Sequence, residues 1–145
     1  MKNFTMLSMF AVAALTVAAG SASAQTQIYK ADIPMSFRAG RAVFTPGAYS
    51  FDVQMNAAGH YTLLIRRADA KLVAMIIPVA GWDAPKAWRD KGNPVLEFLC
   101  VGQACSLRQL YSGHDVTTIG FAVPKLSPAA AERASIVTFG LTKAD

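Results

Sequence analysis

The sequence is short of the residues that usually do chemistry. Among 145 residues there are two histidines, two cysteines and nine carboxylates. His60 and His114 both fall in predicted turns. No H-E-x-x-H pair, no C-x-x-C pair, no acidic loop with calcium spacing and no phosphate-cradling glycine pattern occurs. The acids, Asp32, Asp52, Asp69, Asp83, Asp90, Glu97, Asp115, Glu132 and Asp145, are dispersed, so no carboxylate pair can be assigned. His114 and Asp115 are neighbours, but Ser112 is the only hydroxyl close to them and it lacks the G-x-S-x-G elbow of an activated nucleophile. No catalytic residue, metal ligand or cofactor site is therefore read from the sequence. A hydrolase would require His60 or His114 to meet a serine and a carboxylate in one cleft.

Charge of one sign is also scarce. Fourteen Lys and Arg face nine Asp and Glu, and they are scattered. The densest spots are Arg66-Arg67 and the Lys86, Arg89 and Lys91 group, and neither forms a nucleic-acid stripe. No apolar run reaches the ~20 residues of a spanning helix. Residues 6–19 are apolar apart from Ser8 and Thr16, and they follow Lys2 and precede Ala22-Ser23-Ala24. That order predicts a cleaved signal peptide over residues 1–24. Gln25 after the cut offers no cysteine for a lipid, so no stable membrane insertion is expected. Residues 25–145 then form one domain, periplasmic or secreted, and loss of Lys2 leaves 13 basic against 9 acidic groups.

What remains is patterned with a period of two. Residues 28–37 read as a strand in which Pro34 demands an edge or a bulge. Ala39-Gly40-Arg41 is a turn, and Thr45-Pro46-Gly47-Ala48 opens a second strand. There Tyr49, Phe51, Val53 and Met55 alternate with Ser50, Asp52, Gln54 and Asn56, which predicts a half-buried strand. Tyr61, Leu63 and Ile65 continue the alternation after a turn at residues 56–59, and residues 72–77 form a more continuous apolar run limited by Pro78. Short turns between three successive strands predict an antiparallel meander.

Residues 81–94, GWDAPKAWRDKGNP, break this rhythm and read as a surface loop with a helical turn at 85–89. Trp82 and Trp88 beside Lys86 and Arg89 make a possible binding loop for an acidic or carbohydrate ligand. The competing reading is that both rings fold back over the end of the core.

The cysteines give the most specific local expectation. Gly102-Gln103 suits a two-residue type II′ turn, which puts Val101 opposite Ala104 and Cys100 opposite Cys105. The cysteines then fall at a non-hydrogen-bonded pair, where side chains approach closest, and an exported chain would join them in a disulfide. The same register pairs Phe98 with Leu107 and Glu97 with Arg108. A redox role is disfavoured because C-x-x-C spacing and a helix N-terminus are both missing. Downstream, residues 116–123 read as a strand. Ser127 and Pro128 read as the N-cap and first residue of a short helix, and residues 136–141 as a closing strand. The fold expected is all-β, an antiparallel β-sandwich or barrel of about eight strands with one short helix near the C-terminus.

Ile33-Pro34-Met35-Ser36-Phe37, followed by Phe44-Thr45-Pro46-Gly47-Ala48-Tyr49, resembles the I-P-F-x-F … L-P-A-G-x-Y pattern of a family of small uncharacterised secreted β-proteins of soil bacteria. Pro124-Lys125-Leu126-Ser127 with Glu132-Arg133 resembles that family's P-x-S-x-x-E-R segment. Met35 stands where the pattern has an aromatic residue, the P-A-G order is changed, and residues 127–132 are longer. The resemblance implies an exported β-domain and supplies no catalytic residues. Two function classes follow: an interaction or structural module of the cell envelope, with an envelope or extracellular partner, and a small apolar-ligand binder. Bulky residues filling the interior favour the module; a void lined by Tyr49, Phe51, Leu63 and Phe121 favours the binder.

Overall fold

The computed structural model describes residues 25–69 and 71–144, and the expected signal peptide lies outside them. In chain order the strands are β1 (Gln25–Ile33), β2 (Phe37–Ala39), β3 (Ala42–Phe44), β4 (Gly47–Met55), β5 (Tyr61–Arg67), β6 (Leu72–Ile76), β7 (Val95–Val101), β8 (Ala104–Tyr111), β9 (Ile119–Gly120), β10 (Ala134–Gly140) and β11 (Thr142–Lys143). Two short helices interrupt them, α1 (Lys86–Lys91) and α2 (Pro128–Glu132). Sheet A has the order β11-β1-β4-β5-β6, and sheet B the order β10-β7-β8-β2-β3, with β9 also on β8. The molecule is a β-sandwich with more and shorter strands than the sequence periodicity implies.

The extra strands come from corners. Pro34 neither bulges nor edges a single strand over residues 28–37. It ends β1, which pairs with β4 along all nine residues, and the chain crosses to sheet B before Phe37 starts β2. A proline has no N–H to give a ladder, so the crossing costs sheet A no hydrogen bond at that position. Gly140 and Thr142 bracket a second crossing, where β10 of sheet B gives way to β11 of sheet A and the intervening Leu141 is buried in the core.

The interior between the sheets is filled. Tyr29, Phe37, Phe44, Phe51, Phe98 and Phe121 are all essentially inaccessible, together with Ile33, Leu63, Ile65, Leu96 and Leu107. Phe37 stacks on Phe44 at 4.7 Å between ring centroids and meets Tyr49 and Phe98 edge-on at 5.5 and 5.2 Å. Such pairs add to simple area burial. The Tyr49 hydroxyl donates to the Thr45 carbonyl at 2.5 Å, which ties the turn before β4 to the ring cluster. Tyr49, Phe51, Leu63 and Phe121 all belong to this packed cluster, so the four residues set out as the lining of a void are core.

The β7–β8 hairpin has the expected turn and staple. Val101 faces Ala104 and Cys100 faces Cys105, with Gly102 at φ +60° as the first position of a primed turn requires. The disulfide joins them across a Cα separation of 4.0 Å, and both cysteines are buried on the core face. Phe98 pairs with Leu107 as expected, but the register then shifts, and Glu97 faces Gln109 instead of Arg108. The reason lies in the side chains. Inward residues on β8 are Cys105, Leu107 and Leu110, spaced two and then three apart. One bulged residue, Arg108, keeps Leu110 facing the core opposite Leu96.

Residues 116–123 form only the two-residue β9, because β8's second edge is divided between β2 at its start and β9 near its end. α2 begins as the sequence implies: Ser127 accepts from the Ala130 N–H at 3.2 Å, ahead of Pro128.

Candidate functional site

Three places collect polar groups. The first is the outer face of sheet B under the 81–94 loop. Segment 79–84 runs antiparallel to 116–120: the Val79 N–H donates to the Gly120 carbonyl at 2.9 Å, the Thr118 N–H to the Trp82 carbonyl at 2.7 Å, and the Ala84 N–H to the Val116 carbonyl at 2.8 Å. This lays the Trp82 ring on Gly120 so closely that a β-carbon there would stand 2.1 Å from the ring. The Arg108 guanidinium lies 6.0 Å from the ring centroid.

Beneath Trp82 is a buried chain of polar side chains. Thr118 donates to Gln109 Oε1 at 2.7 Å, Gln109 Nε2 donates to Glu97 Oε1 at 2.9 Å, and Arg108 Nη1 donates to the same oxygen at 3.2 Å. Glu97, Gln109 and Thr118 are each under 8% exposed. The bulge therefore gives Glu97 both neighbours, the one expected and the one the register supplies. A buried charge held this way is satisfied in place.

Trp88 goes elsewhere. It sits on α1, which spans the helical turn expected after Pro85, and packs against Tyr111 at 6.1 Å. Lys86 pairs with Asp90 at 2.6 Å on the exposed side of the same helix. The two rings thus rest on different partners, Trp82 on Gly120 and Trp88 on Tyr111, while Lys86, Trp88 and Arg89 share α1.

The second place is one end of the sandwich. The Tyr29 hydroxyl donates to Gln27 Oε1 and lies 3.3 Å from the Ser112 carbonyl. Burial, with Asp115 nearby, pushes its pKa up to about 12. Ser112 Oγ donates to Asp115 Oδ2 at 3.0 Å and accepts from the N–H groups of His114 and Asp115 at 3.3 Å each. Gln27, Ser112, Asp115 and Tyr61 border a cavity of about 90 Å³, and an adjoining groove of about 420 Å³ adds His60 and Thr117. Asp115 lines both spaces, with Ser112 in the cavity and His60 in the groove; Ser112 Oγ donates to Asp115 and accepts from the turn, and His114 lines neither cleft. A nucleophile needs its base as hydrogen-bond partner, and among the described residues Ser112 Oγ bonds Asp115 and the turn's N–H groups with no histidine ring among its partners.

The third place is the outer face of sheet A, where a cleft of about 520 Å³ crosses four strands. The pairing register aligns Thr142, Lys30, Ser50 and Arg66 in one row across β11, β1, β4 and β5. Asp32, Ala48, Arg67 and Ala68 complete the rim, and the cleft continues towards Thr45, Pro46 and Gly47. Period-two alternation already turned Ser50 outward and left Arg66-Arg67 exposed. What it could not give was the partner of β1, and hence Lys30, because the strand boundary at Pro34 hid the nine-residue β1–β4 register.

On the same face Asp52 is buried, although the alternation placed it on the solvent side. Its Oδ2 accepts from Gln54 Nε2 at 3.3 Å, and its Oδ1 has no partner among the described residues. Its cross-strand neighbours are Ile28 and Leu64.

Among the described residues no group of three or more His, Cys, Asp or Glu side chains is placed to hold a metal ion, and no helix is long and apolar enough to cross a membrane. The buried disulfide is the mark of an oxidising extracellular or periplasmic setting. No family model matches the chain, and no curated protein or solved structure is significantly similar to it.

Proposed function

We propose that the protein is an exported, non-catalytic interaction module of the cell envelope, working in the periplasm or outside the cell after loss of residues 1–24. The observation that carries this reading is a filled interior combined with an apolar free edge. Large aromatic side chains occupy the space a small apolar ligand would need between the sheets. At the same time, among the described residues, β6 ends sheet A and pairs with β5 alone. Residues 72–77 hold no charge and no proline, and Met75 and Ile77 are 68% and 74% exposed. Natural proteins usually blunt such edges with lysine or proline; here Lys71 and Pro78 stand only at the two ends, and the apolar stretch between them is a natural seat for a partner's strand.

The test is site-specific photo-crosslinking in the host's exported compartment. A crosslinker at Met75 or Ile77 should give a discrete protein adduct, and one at Lys125 should not. Equal or absent adducts from all three positions would overturn the proposal.

A further inference from the structure

We propose that the cleft on the outer face of sheet A is a binding site for the oxyanion group, phosphate or carboxylate, of a small acidic molecule. The inference uses a different surface from the β6 edge and stands or falls separately from it.

The row geometry is the basis. Lys30 and Arg66 lie directly opposite Ser50 on its two neighbouring strands. Adjacent strands are ~4.8 Å apart, so the two cation-bearing backbones stand ~10 Å from each other with only a hydroxymethyl group between them. Ala48, on the same face of β4, is no larger. Two long cationic side chains over a floor of small ones leave a trough that they can close from both sides. Thr142 and Ser50 supply hydroxyl donors at its base, and Arg67 adds a third cation at the rim.

Charge points the same way. Three cations and one carboxylate, Asp32, line the cleft. The ion pairs among the described residues are Lys86–Asp90 and Arg108–Glu97, so none of these four is neutralised by a salt bridge there. Arg66 is half-buried, and its field is less screened than that of a fully solvated cation. A planar guanidinium and a point-like ammonium facing one another across a donor floor suit a tetrahedral or planar oxyanion. The cleft's volume of about 520 Å³ leaves room for the molecule that carries the anion.

The experiment is an NMR titration of the isotope-labelled protein with inorganic phosphate, and separately with citrate, at constant ionic strength. Saturable shifts are expected at Lys30, Ala48, Ser50, Arg66 and Thr142. Lys30→Ala combined with Arg66→Ala should weaken phosphate binding about tenfold or more, as loss of charged hydrogen bonds does. Ala48→Leu keeps every charge but fills the trough, and it should weaken binding to a similar degree. Arg89→Ala, on α1, should leave the affinity unchanged. Non-saturating shifts spread over all basic residues, or an Ala48→Leu protein that binds like the wild type, would overturn the proposal. Vesicles carrying phosphatidylglycerol identify the source of the anion: competition with phosphate for these residues means a lipid headgroup, and phosphate binding without vesicle binding means a soluble acid.

Discussion

On the outer face of sheet B, Glu97, Gln109 and Thr118 are buried beneath Trp82, each with hydrogen-bond partners. On the outer face of sheet A, Lys30, Ser50 and Arg66 line an open cleft without ion pairs among the described residues. The difference follows from where the long 81–94 loop goes. Segment 79–84 is hydrogen-bonded beside 116–120, and from there its Trp82 ring reaches Gly120 and Arg108 on sheet B. The polar residues beneath Trp82 are hydrogen-bonded to one another, whereas the cations of the cleft stand outside any salt bridge among the described residues.

That contrast can be broken from the stabilised side first. Glu97→Ala removes the acceptor shared by Arg108 and Gln109 and should cost about 2–3 kcal/mol in chemical denaturation, since buried donors are left unpaired. Gly120→Ala forces the Trp82 ring off its seat and should cost about 1–2 kcal/mol, with a change in tryptophan emission as the ring becomes solvated.

Tyr29 sharpens the comparison along the pH axis. Its pKa is raised from 10.0 to about 12 in the folded protein, so the folded state holds the proton more tightly than the unfolded chain. That stabilisation is fully present below pH 10 and is lost as pH rises from about 10 to about 12. The stability difference between wild type and Tyr29→Phe should shrink across that window. On the open face the expectation is smallest: Lys30→Ala should change stability by less than about 0.5 kcal/mol, because an exposed cation outside a salt bridge contributes little.

Much of the fold was legible, for local reasons. The disulfide hairpin follows from the Gly102-Gln103 turn and the period of two around it, and both signals lie within a few residues. The same holds for β4, for α2 with its Ser127 cap and for the helical turn after Pro85. Legibility failed where tertiary context decided the outcome. Pro34 is compatible with a bulge, an edge or a corner, and only the second sheet makes it a corner. The Arg108 bulge was encoded in the two-then-three spacing of Cys105, Leu107 and Leu110, yet without the strand opposite, Leu110 has no assigned face. The cleft was the least visible feature. Lys30 and Arg66 are 36 positions apart, and only the β1–β4–β5 register makes them neighbours. Trp82 and Trp88, close in sequence, rest on different partners, since one lies on the bridging segment and the other on α1.

A packed interior leaves the surface as the proposed seat of function. Native mass spectrometry of the protein purified from its host's periplasm or medium tests it most directly. With the core packed by its own side chains, the protein should emerge free of apolar small molecules, alone or in a discrete protein complex. A stoichiometric apolar molecule that survives desalting and is released only on unfolding would contradict it.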